Sequence, residues 1–275
     1  MDTILVHASQ AHRRTRALEY GTRLAARLGA SVTGAYVHPS LLQAIPTFAS
    51  PDLLSLMLVN AETRTADARR LGIEFTEWAR SFGIEHAGWH VAEDYLPNAL
   101  AQIAQWHRLL VLDHDPEFPW GTPPDIAKLI FAADLPAIVV PVGAVEPRAP
   151  ESIVLAWNGS PESTRALRAA LPLLKLAHQV VVLAGEGRRP AGEIDWDPKL
   201  EIESFLRRQC IAFERREFVA NDEEAGTCLL DACGELKADL LVMGMYGRGR
   251  FSEWILGGAT RQVLQDAHLP VLLCH

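Results

Sequence analysis

A glycine-rich stretch near the end of the chain holds the residues best suited to bind an anion. An apolar run stops at Gly244, and glycines follow with the spacing Gly244-x2-Gly247-x9-Gly257 before a helix predicted from about Thr260. Glycine tolerates positive φ, which we expect at Gly244 and Gly247, and it lets a ligand approach the main chain. Successive N–H groups and a helix N-terminus favour phosphate. The stretch predicts a phosphate site; the alternative is a loop that only ends a strand and starts a helix.

Composition limits the classes of function. The chain has 275 residues, of which 49% are hydrophobic and 22% charged, with a net charge of −8. This balance argues against nucleic acid or an anionic membrane surface as a partner, because both recruit basic patches. The start MDTILVHASQ does not look like a signal peptide, and no apolar run approaches roughly 18 residues. The four cysteines form no CxxC pair. We therefore expect a cytoplasmic protein.

The chain repeats itself. The segment ILVHASQAHRRTRAL, which begins at Ile4, parallels IVLAWNGSPESTRAL, which begins at Ile153. LLVLDH parallels LLVMGM, and ADLPAIVVP parallels AHLPVLLCH, in the same order in both halves. The stretch between the halves, GAVEPRAPES, is rich in proline and polar residues, as linkers are. The sequence predicts two domains, residues 1–144 and 150–275.

Each half alternates short apolar strands with amphipathic helices. The first half has predicted strands near 3–7, 31–37, 84–91, 109–112 and 137–141, and the second half has five in matching positions. This alternation is typical of a parallel sheet that helices cover on both faces. We predict an α/β protein with two doubly wound, open, parallel five-stranded sheets of strand order 3-2-1-4-5. Ligands of such sheets bind at the carboxyl ends of the strands, where the winding reverses.

The glycine spacing resembles the nucleotide-binding signature of the universal stress protein family, a Gly-x2-Gly-x9-Gly-Ser/Thr loop that holds the phosphates of ATP. The segments GGATRQVL and HLPVLLC are similar to the end of that family's domain, and IVLAWNGSPESTRAL is similar to its first strand and turn. The resemblance covers the second half and, more faintly, the first, as in the tandem type. It implies an adenine-nucleotide alpha-hydrolase-like sandwich in each half and ATP or AMP as ligand of the second.

The predicted nucleotide-binding residues follow from this resemblance: Trp157, Asn158, Gly159, Ser160, Gly244, Gly247, Arg248, Gly249, Gly257, Gly258, Ala259 and Thr260. Two of them depart from the family pattern. Gly258 stands where the family has Ser or Thr, and Thr260, shortly after it, could supply the substitute hydroxyl. Asn158 stands where ATP-binding members usually carry Asp. Asparagine can bond a ribose hydroxyl, but it brings no charge to a bridging metal; its alternative role is that of a turn residue.

The first domain lacks these features. Its corresponding loop, LDHDPEFPWGTPPDIAKLI, has Asp113 in place of Gly244 and Pro116 in place of Gly247. The carboxylates would repel phosphate, and the prolines remove backbone donors. We predict a degenerate domain with a scaffold role.

Four histidines fall at or near the carboxyl ends of the first four strands: His7, His38, His90 and His114. Strands lie about 4.8 Å apart, so adjacent pairs could share a metal although all four could not. The alternative, which we prefer, is separate hydrogen-bonded histidines. We predict no dedicated metal site, with these four as the remaining candidates.

No sequence motif indicates an enzyme. A GxSxG elbow and a P-loop are both absent, and no general base is evident. The resemblance implies a stress-response protein in which nucleotide occupancy orders the glycine loop and alters the surface offered to a protein partner. A nucleotide-independent interaction protein and a slow ATPase are the alternatives. Apolar edge strands make a homodimer a further expectation.

Overall fold

The computed structural model describes residues 2–40, 46, 49–117, 119–143, 149–185, 201–220, 224–245 and 257–275. Contacts within the chain divide it into two compact units, Met1–Ala149 and Pro150–His275. Each unit alternates strands and helices.

Unit one contains a five-stranded parallel sheet of order β3-β2-β1-β4-β5. Its elements run in the order β1 (Thr3–His7), α1 (Arg16–Leu28), β2 (Ser31–His38), α2 (Pro51–Ser81), β3 (Ala87–Glu93), α3 (Leu96–Ala104), β4 (Leu109–His114), α4 (Pro123–Ala133) and β5 (Ala137–Pro141).

Unit two repeats this order as β8-β7-β6-β9-β10. Its described elements are β6 (Ser152–Trp157), α5 (Pro161–Leu174), β7 (Gln179–Gly185), α6 (Ile202–Arg208), β8 (Glu214–Phe218), α7 (Ala225–Glu235), β9 (Leu240–Gly244), α8 (Gly258–Asp266) and β10 (Val271–Cys274). The predicted fold class and strand order are confirmed in both units.

Burial explains why the central strands carry unbroken apolar runs. Leu109, Leu110, Val111 and Leu112 of β4 are fully buried, as expected for a strand with helices on both faces of its sheet. α1 covers one face closely, since a Cβ on its Gly21 would lie 2.5 Å from a methyl group of Val6. Among the described helices, none has both the length and the apolar character that crossing a membrane requires.

Two element starts near candidate site residues differ from the sequence prediction. Strand β3 begins at Ala87 rather than near residue 84, because Ile84 is buried in the connection before the strand, just after Gly83 turns the chain with φ of +80°. Helix α8 begins at Gly258 rather than Thr260. Gly258 was expected to precede the helix, but its backbone is part of the first turn.

Trp89 of β3 fixes the packing between β2, β3 and α2. An added Cβ on Gly34 of β2 would lie 2.4 Å from the Trp89 ring, and one on Gly72 of α2 would lie 2.3 Å from it. Phe75 of α2 also contacts this indole, with ring centroids 5.3 Å apart. The two glycines therefore create the space that the indole fills.

We expect Gly34→Ala to destabilise unit one by about 1–3 kcal/mol, because the added methyl group overpacks a buried contact. Gly88→Ala on the neighbouring strand is the matched control, since its Cβ would meet Thr33 at an ordinary 3.5 Å. Urea unfolding monitored by circular dichroism measures both. Equal stability of the two variants would show that Trp89 is not tightly held.

Candidate functional site

In unit two, the turn after β6 is built from its own polar side chains. The amide oxygen of Asn158 accepts a hydrogen bond from the Ser160 N–H at 3.1 Å, and Gly159 has φ of +72°. The Ser160 hydroxyl oxygen caps α5 by accepting from the Ser163 N–H at 3.1 Å. Asn158 thus does act as a turn residue, the alternative role that the sequence allowed, and its side chain is exposed.

Gly244 brings the two predicted segments together. It ends β9, which lies beside β6, and an added Cβ would approach the Ser163 nitrogen to 2.6 Å and Glu162 to 2.8 Å. The first turn of α5 therefore lies directly against Gly244. The expected positive φ at Gly244 is wrong, since the described glycines with positive φ are Gly29, Gly83 and Gly159. Close contact with backbone atoms, rather than a special φ, requires glycine here.

The start of α8 leaves main-chain donors without an acceptor inside the helix. The first intrahelical bond runs from the Arg261 N–H to the Gly257 oxygen at 3.0 Å, so Gly258, Ala259 and Thr260 hold the early N–H groups. Gly257 provides no side-chain cap, and the first turn has no acidic residue. Gly258 is exposed, whereas Thr260 is only 3% exposed.

The remaining predicted site residues divide into two groups. Trp157 is partly buried at the end of β6, where it pairs with Ala184 of β7. Gly247, Arg248 and Gly249 lie outside the described residues.

Unit one fills the equivalent place with a carboxylate. Asp113 lies near the end of β4 and accepts hydrogen bonds from the Ala17 N–H at 2.8 Å and the Ser9 hydroxyl at 2.9 Å. Burial raises the pKa of this carboxyl, while hydrogen bonds from Thr15, Ala17 and Ser9 oppose the rise. Asp113 is therefore an internal acceptor for the N-terminus of α1. From the sequence, Asp113 was expected to repel phosphate, and no local signal indicated that it accepts hydrogen bonds from the start of α1.

The start of α4, the counterpart of α8, is poor in donors. Its first two residues are Pro123 and Pro124, which have no N–H group. The carboxylate of Asp125 in the same turn accepts a hydrogen bond from the Thr122 hydroxyl at 2.5 Å.

The four histidines occupy different environments. His38 is hydrogen-bonded within unit one, with Nδ1 3.3 Å from the Pro39 oxygen and Nε2 3.2 Å from the Thr65 hydroxyl. His90 is exposed in the middle of β3, opposite Ala35, and not near the end of the strand as expected. The strand continues to Glu93, about two residues beyond its predicted end, which leaves His90 in its middle.

His7 and His114 are both buried. Burial lowers the pKa of His7 to about 4, and it also lowers the pKa of His114, although Asp115 acts in the opposite direction. Both rings are therefore neutral at neutral pH. Within the described residues, no three or more His, Cys, Asp or Glu side chains are grouped so that they could hold a metal ion.

Unit two is similar to a known protein family. Residues 150–275 match the family model described as the universal stress protein family. Unit two is therefore similar to universal stress proteins over its whole length. The "Universal stress protein in QAH/OAS sulfhydrylase 3'region" of Thermus aquaticus is 28% identical over 134 residues, which cover 45% of this chain and 97% of that protein.

Solved structures of universal stress proteins share the fold across both units. One from Archaeoglobus fulgidus DSM 4304 has a TM-score of 0.71 and 14% identity, covering 99% of this chain and 97% of its own. A putative universal stress protein from Pseudomonas aeruginosa UCBPP-PA14 has a TM-score of 0.61 and 17% identity, covering 100% and 93%. The protein is a tandem of two universal stress protein folds.

We expect Gly244→Ala to destabilise unit two by about 1–3 kcal/mol, because its Cβ would collide with the backbone of α5, which cannot move as a side-chain end can. Gly185→Ala at the end of β7 is the matched control, since its nearest contacts would be an ordinary 3.8 Å away. Thermal unfolding without added ligand measures both. A stable Gly244→Ala variant would contradict the packing role.

Proposed function

We propose that this chain is a universal stress protein whose unit two binds an adenine nucleotide, ATP or AMP, and that occupancy of the site, rather than catalysis, carries its role in a stress response. The observation behind the proposal is the start of α8, where three consecutive residues hold N–H groups without an intrahelical acceptor and no side chain of the described residues caps them. Such a helix start favours phosphate through its N–H groups and its dipole.

The turn after β6 supports the rest of the nucleotide. It lies at the switch point between β6 and β9, where ligands of doubly wound sheets bind. Asn158 uses one lone pair of its amide oxygen within the turn, which leaves a second for a ribose hydroxyl. Gly159 has no side chain to obstruct the ligand. The phosphates would lie toward Gly258 and the sugar toward Asn158.

Binding without catalysis fits the residue types in these two segments. Hydrolysis requires a group that accepts a proton from the attacking water. The segments Trp157–Ser160 and Gly257–Thr260 contain no carboxylate, histidine, lysine or cysteine. We propose that a bound nucleotide alters the surface that unit two offers to a protein partner.

Unit one is proposed to act as a scaffold without nucleotide. Asp113 already places a negative oxygen at the start of α1, and Pro123 and Pro124 remove two donors from the start of α4. A phosphate there would meet a carboxylate and lose main-chain partners.

A nucleotide-independent interaction protein is the second candidate. It is favoured by Gly244, since contact with the first turn of α5 explains this glycine without any ligand. The two candidates differ in whether unit two carries a nucleotide.

Native mass spectrometry of the purified protein, followed by calorimetric titration with ATP and AMP, separates them. We expect one nucleotide per chain and a weakening of at least about tenfold in Gly258→Asp, because a carboxylate would approach the phosphates. Gly258→Asn, with nearly the same shape and no charge, is the matched control and should lose much less. Pro124→Asp tests the same change in unit one and should have no effect.

Absence of nucleotide from the native protein, together with no heat on titration at millimolar ATP or AMP, would contradict nucleotide binding and favour the interaction protein. Equal losses in Gly258→Asp and Gly258→Asn would place the phosphates elsewhere.

A further inference from the structure

A groove of about 690 Å³ follows the outer edge of the sheet in unit one, away from the switch point. One wall is a row of α2 residues, Thr65, Arg69, Ile73 and Thr76, spaced so that they share one face of the helix. The other wall is β3, which contributes Ala87, Gly88 and Trp89 and, further along, Val91, Ala92 and Glu93. Neighbouring strand residues point to opposite faces, so the groove lies along the backbone edge of β3 rather than over one face.

The backbone of that edge has hydrogen-bonding groups to offer. β3 is the last strand of its sheet and pairs only with β2 among the described strands. The His86 oxygen accepts from the Val32 N–H, and the Asp94 N–H donates to the His38 oxygen, so even-numbered residues face β2. In a parallel ladder the alternate residues face away. The N–H and C=O groups of Trp89 and Val91 therefore point to the groove.

The sequence of β3 lacks the features that usually protect an exposed edge. Edge strands commonly carry charged residues or proline, which discourage pairing with another chain. β3 reads AGWHVAE, with no proline, no lysine and a single carboxylate at its end. The edge strand of unit two, β8, reads ERREF, and its Arg216 and Glu214 form an ion pair at 2.7 Å. The two sheets match in strand order, but the edge strand of unit two carries protective charges and that of unit one does not.

The α2 wall specifies the chemistry of an occupant. Ile73 is 63% exposed, so an apolar side chain lying between it and Val91 would remove apolar surface from water. Arg69 is exposed and forms no ion pair with any described residue, so it can bind a carboxylate. An extended chain with alternating apolar residues and one acidic residue matches both walls.

We propose that the outer edge of β3 is a docking site for an extended peptide segment of a partner protein, which adds a strand to the sheet of unit one beneath α2. Main-chain hydrogen bonds to Trp89 and Val91 would supply affinity, and the α2 row would supply selectivity. A second copy of this chain fits less well, because its own α2 lies beside its own β3 and would have to enter the same groove. The site does not depend on nucleotide binding by unit two.

A phage-displayed library of random decapeptides, selected on the intact protein, provides the probe. We expect enriched peptides to share alternating apolar residues and an acidic residue, and to bind as synthetic peptides in fluorescence anisotropy. Val91→Pro removes an outward N–H without breaking the ladder to β2, so it should weaken binding at least tenfold. Val91→Thr keeps that N–H and a β-branched shape, and should stay within about twofold.

Arg69→Glu tests the charge independently of the strand. It should weaken the binding of peptides that contain an acidic residue at least fivefold. Arg27→Glu, the same change at an exposed position in α1, should leave binding unchanged. Thermal unfolding shows whether each variant is folded. If Val91→Pro does not fold, Arg69→Glu and its control Arg27→Glu still test the proposal. Failure to enrich peptides, equal binding to all folded variants, or self-association of the protein that Arg69→Glu or Val91→Pro abolishes would overturn the proposal.

Discussion

The main-chain N–H groups at the starts of four helices determine the chemistry at the carboxyl edges of both sheets. The first N–H groups of any helix lack an intrahelical acceptor, so something outside the ladder must meet them. Asp113 accepts a hydrogen bond from the first turn of α1, and Ser160 accepts one from the first turn of α5. The two prolines at the start of α4 have no N–H group to donate. Of these four helices, only α8 keeps three early N–H groups with neither a proline nor a described side-chain cap. The proposed difference in nucleotide binding between the two units follows from these helix starts.

A single position links the helix starts to the ends of the strands. In unit two a short connection leads from β6 to α5, whose first turn fills the space over Gly244. In unit one the connection from β1 to α1 is longer, and the carboxylate of Asp113 meets the helix instead. Gly244 and Asp113 stand at matching strand ends. Each contacts the helix that follows the first strand of its unit, but Gly244 leaves room for the helix backbone, whereas Asp113 accepts a hydrogen bond from it. Neither residue can replace the other without a change in the connection that leads to this helix.

Sequence patterns predict most of this architecture, because strand and helix periodicity and the internal repeat are local signals. The confirmed strand order follows from them together with the rules of parallel sheets. Contacts across the sequence are harder to predict. Sheet topology predicts that the turn after β6 lies beside the end of β9, as Ser163 does against Gly244, but nothing near Asp113 indicates that it accepts from Ala17. The unprotected edge of β3 can be read from its composition, but only the position of α2 turns that edge into a groove.

The central claim, that the helix start of unit two holds phosphate through its main chain, can be tested amide by amide. Nuclear magnetic resonance of isotope-labelled protein, titrated with AMP, follows each backbone N–H separately. The N–H resonances of Gly258, Ala259 and Thr260 should shift with a single saturating dependence on AMP, while that of Ala17, already bonded to Asp113, stays in place. Saturable binding of AMP that leaves the three α8 resonances unmoved, or that moves Ala17 instead, would contradict it.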